Sequence, residues 1–389
     1  MTVGAAITLE ELEHDPYPLY AQLREDEPVS YVEAVGLWLV TRWDDVNTVD
    51  KTPDVFTGET EPSTLNRTFG KNLLGSEGVY HDRVRSVIQP WFRTKAIGHF
   101  PDEVIEPLAR ELLAEFGDAG EVDLVERFCE PLSVRVLRRA TGLRDVDDDT
   151  LRRWFQGLAE GAANFEGDPE RQALADATSA EVDATIAPIL ERLQDAPDDS
   201  LLSSMVHSQG LTRAEMSSNL KVMIVGGLQA VSDAIATVVW ALLLHPDARA
   251  RVKDDPELIS PAVEEALRWH SPVGTSTRQT TRDTQLAGVD LPQGALIAAV
   301  LSSANRDPRH WTDPDSFDLD AHRRPHLAFS AGAHVCVGAL LARMECRTAL
   351  RLLLDELPGL RLDPERPPVF EGWEFRSPHH LHLLFEGAR

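Results

Sequence analysis

The segment from Thr212 to about His245 limits the possible folds more than any other part of this chain. Thr212 is followed three residues later by Glu215, a capping-box pair that marks the start of a helix. The pattern then continues for about nine turns at 3.6 residues per turn, with a middle that is apolar almost all round. A helix without a polar face must be covered on every side. The rest of the chain has to enclose it, and 389 residues with 42% hydrophobic content are sufficient. Gln229, Ser232 and Asp233 interrupt the apolar stretch 222–244, which therefore lacks the run of roughly 20 apolar residues that a membrane span requires. The expectation is a buried central helix in a protein with no membrane partner.

Other segments supply the cover. Residues 102–192 carry apolar side chains at i, i+3, i+4 spacing, as in Val104, Leu108, Leu112, Leu113 and Phe116, the pattern of packed helices. Further helices are expected at about 14–24, 256–269 and 339–353. Short β segments are expected at 35–42, around 284–300, and in the alternating run from Leu381 to Phe385. Residues 53–77, rich in Thr, Ser, Gly and Asn and without periodicity, are expected as a long loop of the kind that binds ligands. No linker, repeat or low-complexity tract divides the chain, so residues 1–389 are expected to form one domain, mainly α with small β-sheets.

Charge narrows the partners. Lys and Arg number 38 against 64 Asp and Glu, a net charge of −26 that repels nucleic acid and anionic membrane. The opening MTVGAAITLEELEHD lacks the cationic stretch before an apolar one that marks a secretory signal. Three cysteines, Cys129, Cys336 and Cys346, are too few and too irregular for a disulfide framework, which implies a reducing, cytoplasmic setting. Cys129 and Cys346 lie in helical stretches and are expected to be small core residues.

Cys336 is different. In Phe329-Ser-Ala-Gly-Ala-His-Val-Cys-Val-Gly338 it stands between two glycines, just ahead of a helical pattern. A thiol at a helix start faces unpaired N–H groups and the positive end of the dipole, and both favour the thiolate. Glycines beside it allow close approach of something flat and large, or a positive φ. His334 could reach an anionic group on that object.

This segment resembles the heme-binding loop of the cytochrome P450 superfamily (Phe, Gly, any, Gly, any, His or Arg, any, Cys, any, Gly), departing from it only at Ser330, where Gly is usual. Glu265-Ala-Leu-Arg268, alone an ordinary i,i+3 pair, matches the family's Glu-x-x-Arg helix motif. His81-Asp-Arg-Val-Arg85 and Arg278 resemble its propionate-binding positions, and Asn305-Arg-Asp-Pro308 and Pro314-Asp-Ser-Phe317 its approach to the cysteine loop. The likeness runs from about residue 14 to the end. It implies the cytochrome P450 fold, with heme b (iron protoporphyrin IX) sandwiched between the long central helix and the cysteine loop. It further implies Cys336 as the iron ligand, with Phe329, His334 and Gly338 beside the heme and His81, Arg85 and Arg278 on its propionates. Two carboxylates suit such a set of imidazole and guanidinium donors, and thiolate ligation favours O–O cleavage.

The chain departs from the family pattern in the central helix, where the acid–alcohol pair that delivers protons is usual. It has Gly226-Gly-Leu-Gln-Ala-Val-Ser-Asp233, with Gln229 at the acid position and Ala230 at the alcohol position. Gln cannot titrate and Ala offers no hydrogen bond, so protons must come through water, substrate, Ser232 or Asp233. The family's arginine four residues after Phe317 is replaced by Ala321, which leaves His322, Arg323 or Arg324 to contact Glu265. Some bacterial relatives also lack the acid–alcohol pair, among them guaiacol-type aryl-ether O-demethylases, and the segments 65–70 and 371–378 resemble that branch.

The resemblance implies a monooxygenase that hydroxylates or O-dealkylates a small aromatic substrate. A peroxide-using or atypical enzyme acting on a natural-product intermediate, and a heme-thiolate binding protein without turnover, stay open. Phe69, Val225, Leu228, Val273, Trp373 and Phe375 are the expected pocket residues. The electron donor is expected to be a separate ferredoxin or flavin/iron–sulfur reductase, docking near Arg323, Arg324, Arg343 and Arg347.

Overall fold

The computed structural model describes residues 2–320 and 324–387. Its central helix spans Arg213–Leu244. Both halves of the capping box form: Thr212 Oγ1 accepts from the Glu215 N–H at 3.2 Å, and Glu215 Oε2 accepts from the Thr212 N–H at 2.8 Å. Arg83 also pairs with Glu215, which ties the helix Gly78–Ile88 to this start and holds the carboxyl down at about 2. At the other end Pro246 follows His245 and opens a separate helix, Pro246–Asp254.

Contrary to the expectation from its apolar runs, the central helix is long and apolar enough to cross a membrane despite Gln229, Ser232 and Asp233, but it lies inside the protein. The helices Glu130–Thr141, Asp148–Ala162, Ile259–Trp269 and Ala339–Glu356 pack around it. Gly227 permits one of these contacts, since a Cβ there would come 3.0 Å from Leu137 Cδ1. Cys129 and Cys346 are buried in the same core, and burial pushes both thiols up.

The strands, in chain order, are β1 (Val29–Val32), β2 (Leu37–Val40), β3 (Phe56–Thr57), β4 (Glu121–Asp123), β5 (Thr275–Thr280), β6 (Thr284–Leu286), β7 (Val289–Leu291), β8 (Leu296–Val300), β9 (Arg361–Leu362), β10 (Phe370–Glu371), β11 (Ser377–Pro378) and β12 (His382–Leu384). The largest sheet has the order β1-β2-β8-β5-β3, with β2 and β8 parallel and the other pairs antiparallel. β8 is buried along nearly all its length, as its run Leu-Ile-Ala-Ala-Val requires of a strand covered on both faces. The fold is mainly helical with small sheets.

Three local expectations change. Residues 53–77 are not a continuous loop: they hold β3 and the helix Thr64–Phe69, capped by Ser63 Oγ on the Asn66 N–H at 3.1 Å and closed by Gly70 at φ +82°. The helix is too short to show periodicity, and Ser63 was its local signal. The expected helix at 14–24 begins after Asp15-Pro16, as Tyr17–Asp26, with a separate turn of helix at Leu9–His14. The first turn of the expected helix at 256–269 is a 3₁₀ turn, Pro256–Leu258, and the α-helix follows as Ile259–Trp269.

Glu265 and Arg268 form a buried bidentate pair at 2.7 and 2.8 Å. Arg268 also donates to the carbonyls of Asn305, Pro314 and Ser316, and Glu265 accepts the Asp318 N–H at 2.8 Å. The substitute contact expected from Arg324 does not form: that side chain donates to the His310 carbonyl. Ala321, His322 and Arg323 lie outside the described residues.

Candidate active site

The cysteine loop is held from below by a residue that the sequence did not single out. Asp50, at the end of the helix Trp43–Lys51, is 1% exposed and accepts from Ser330 Oγ at 2.7 Å, Ser276 Oγ at 2.8 Å and Arg278 at 3.0 Å. Ser330 sits at φ +58°, the left-handed region that explains why glycine is usual there, and its hydroxyl offsets that strain by binding Asp50. Gly332 is at φ +69°, and a Cβ there would lie 2.2 Å from the Asp50 carbonyl. Gly338, by contrast, has φ −81° and room for a Cβ. Asn305 braces the loop from a further side, accepting the Leu327 N–H at 2.7 Å and donating to Ser271 at 2.9 Å.

The Cys336 N–H donates to the Phe329 carbonyl at 2.9 Å, and the side chain stays accessible, three residues before the helix Ala339–Glu356. Burial by the surrounding atoms pushes the thiol up, against the Gly338 N–H, Arg85, Arg343 and the Ala339 N–H, which pull it down. Its accessible surface therefore opens onto an interior cleft. The half-buried Phe329 ring lies under the Arg343 guanidinium, 4.2 Å from its centroid.

The four predicted cationic groups divide into two kinds. Arg278 and His334 already have protein carboxylates: Arg278 binds Asp50, and His334 Nε2 lies 2.9 Å from Glu77 Oε1, which also accepts the Gly58 N–H at 2.7 Å. Arg85 has none among the described residues, and His81 has one, Asp82, on its Nδ1 only. His81 is 2% exposed, its Nδ1 lies 3.1 Å from Asp82, and its Nε2 is buried without a hydrogen-bond partner. Burial lowers its pKa, and its ring lies 4.6 Å from that of His334. Arg85 is half-buried, close enough to feel Cys336, and makes no ion pair among the described residues. An unpaired guanidinium and an orphaned imidazole nitrogen beside a thiol suit a group with anionic arms and a thiol-binding metal.

The central helix offers a matching face. It is buried nearly all round, yet Val222, Val225, Gly226, Gln229 and Ala230 keep accessible surface in the middle of its length. These positions follow i, i+3, i+4, i+7, i+8 spacing and form one stripe. Nothing lies within 4 Å of a Cβ built on Gly226, so the stripe has room for a flat group. Asp233 continues the stripe one turn on, 3% exposed, and its Oδ1 accepts from Gln229 Nε2 at 2.7 Å. Burial raises its carboxyl, while Ser377 and Gln229 pull it down. Ser232, expected as an alternative proton donor, turns off the stripe: it is 1% exposed and its hydroxyl has no partner.

Half of the expected pocket residues are packed elsewhere. Leu228 and Phe69 are 2% exposed within the main core, and Trp373 belongs to the N-terminal cluster with Ile7, Leu12 and Tyr20. Val225, Val273 and Phe375 remain accessible, the last two joined by a β-bridge. Of the expected docking arginines, Arg343 grips Glu264 in a bidentate pair at 2.8 and 2.9 Å, and Arg347 reaches the same carboxylate at 3.4 Å. Their charge is spent internally.

Comparison with known proteins agrees with this geometry. Residues 170–372 match the family model for cytochrome P450. The 6-deoxyerythronolide B hydroxylase of Saccharopolyspora erythraea is 32% identical, with 100% of each chain covered. The mycinamicin IV hydroxylase/epoxidase of Micromonospora griseorubida is 33% identical, covering 94% of each. The crystal structure of CalO2 superposes with a TM-score of 0.89 at 29% identity, covering 96% of each chain. The chain belongs to the cytochrome P450 family, bacterial monooxygenases built around heme b.

Proposed function

We propose that residues 1–389 form one heme domain in which Cys336 is the iron ligand and the accessible stripe of the central helix covers the opposite heme face. The observation that carries this is the pairing of an accessible Cys336 with two unspent donors, Arg85 and His81 Nε2. Arg85 and His81 hold the heme carboxylates, while Arg278 and His334 line the same rim with Asp50 and Glu77 as their standing partners. Heme b bound through Cys336 supplies dioxygen activation. Asp233 supplies a titratable carboxyl at the end of the stripe, raised by burial, and Gln229 fixes that carboxyl by donating to Oδ1. The electrons come from a separate ferredoxin or flavin/iron–sulfur reductase.

The substrate we assign is an apolar natural-product intermediate, hydroxylated at carbon. Val222, Val225, Gly226 and Ala230 present a small and aliphatic surface, and Phe69 and Trp373 are unavailable for stacking. The relatives named above are hydroxylases of a deoxyerythronolide and a mycinamicin by their own names, which supports the same class. O-demethylation of a small aryl ether is the second reading, and it keeps Phe375 as its aromatic contact.

The test is spectroscopic. The reduced carbon monoxide complex should show the thiolate-type Soret band, and Cys336→Ser should abolish it while leaving the protein folded. Titrating the ferric protein with macrolactones and with methoxybenzoates then separates the substrate readings: the ligand that shifts the band toward high spin identifies the class.

A further inference from the structure

We propose that Asp123, His380 and His382 form a binding site for a divalent transition-metal ion of the zinc class, on the sheet β4-β12-β9. The assignment rests on the geometry of the sheet alone and does not depend on the heme reading.

β12 pairs antiparallel with β4 so that His382 stands directly opposite Asp123. His380 lies two residues before His382, which places it on the same face of the extended chain. The two imidazole rings are parallel, 4° apart in plane and 5.8 Å between centroids. One ligand atom from each imidazole and one from the carboxylate all lie within 4.8 Å of one another. Tetrahedral coordination at metal–ligand distances near 2.0–2.1 Å sets donors about 3.3 Å apart, so small side-chain rotations bring this set onto an ion.

The carboxylate is already aimed. Asp123 Oδ1 accepts the N–H groups of Val125 at 3.2 Å and Leu381 at 3.1 Å, which fixes the side chain and leaves Oδ2 facing the imidazoles. Oδ2 lies 2.5 Å from His380 Nδ1. His382 Nδ1 is buried without any hydrogen-bond partner, an unusual state for a ring nitrogen that an ion would resolve. Asp363, whose N–H donates to the His382 carbonyl at 3.0 Å, adds a second negative charge nearby. Two imidazoles and a carboxylate favour zinc, copper or nickel over magnesium or calcium, and three protein ligands leave one position for water. Occupied, the site would join the C-terminal strand to β4.

The experiment uses tag-free, heme-loaded enzyme, stripped of adventitious metal by chelator and dialysed against Zn²⁺. The expected result is one bound zinc per chain, an unchanged Soret band, and slower proteolysis of the C-terminal strand. His380→Ala and His382→Ala should each weaken zinc binding by about tenfold or more. His99→Ala serves as the control, since His99 meets Asp199 at 3.7 Å and lies outside the Asp123, His380, His382 group, and it should bind zinc as the parent does. No stoichiometric zinc on the parent, or undiminished binding by both His380→Ala and His382→Ala, overturns the site.

Discussion

Ser330 and Asp50, 280 positions apart, meet at 2.7 Å beneath the cysteine loop, and the contact sustains a side chain at φ +58°. The left-handed conformation costs about 1–2 kcal/mol for a non-glycine residue, and a hydrogen bond to a buried carboxylate contributes about 1.5–3 kcal/mol. Ser330→Ala keeps the strain and loses the bond, so it should lower stability by about 2 kcal/mol. Ser330→Gly loses the bond and relieves the strain, for a loss of about 1 kcal/mol. Urea unfolding of the three proteins should give midpoints in the order Ser, Gly, Ala; Gly above Ser would show that the bond to Asp50 contributes little.

Arg85 is half-buried and has no protein partner among the described residues. Arg85→Leu should leave the heme-free protein as stable as the parent, because no ion pair is broken. The heme-loaded form should lose heme to apomyoglobin about tenfold faster, the factor expected for one charge-assisted bond. Equal loss rates for the two proteins would place Arg85 outside the propionate contacts.

Asp233 gives a pH-dependent signature. Burial raises its folded value above the unfolded one, so between the two the native state binds more protons and stability falls as pH rises through that window. Asp233→Asn keeps an acceptor for Gln229 and removes the acid. Thermal unfolding should become less dependent on pH in the variant. Product formation should fall by about 10²-fold with an altered pH profile, while the substrate-induced Soret shift is retained. A variant with an unchanged pH profile of turnover would mean that the proton comes from elsewhere.

Glu345 is buried on the helix Ala339–Glu356, and its Oε2 has no hydrogen-bond partner. Burial alone raises its carboxyl well above the ordinary range. The native state therefore holds a proton that the unfolded state releases, and the protein loses stability as pH climbs from the ordinary carboxyl value through the raised one. Glu345→Gln should raise the melting temperature near neutral pH and change it little in mild acid. Calorimetry at the two pH values checks the sign.

What was legible in the sequence was local. The Thr212–Glu215 cap, the Glu265–Arg268 pair and the cysteine loop all lie within ten residues, and spacing fixes their geometry. Asp50 and Glu77 were not legible, because their partners Ser330 and His334 lie 280 and 257 positions away and nothing at 50 or 77 marks them. Phe69, Leu228 and Trp373 show the same limit from the other side. A resemblance places a residue on an element, and only packing decides which way the side chain turns. Leu228 is two residues from Gly226, enough on a helix to move it from the cleft to the core.

The neighbouring glycines of the central helix end up with unequal tolerance. A methyl group at 227 would meet Leu137 Cδ1 at 3.0 Å, so that side chain would have to give way, whereas at 226 it would project into open space. Enlarging position 226 step by step thus offers a dial for the shape of accepted molecules that leaves the scaffold alone, and the adjacent position offers no such freedom.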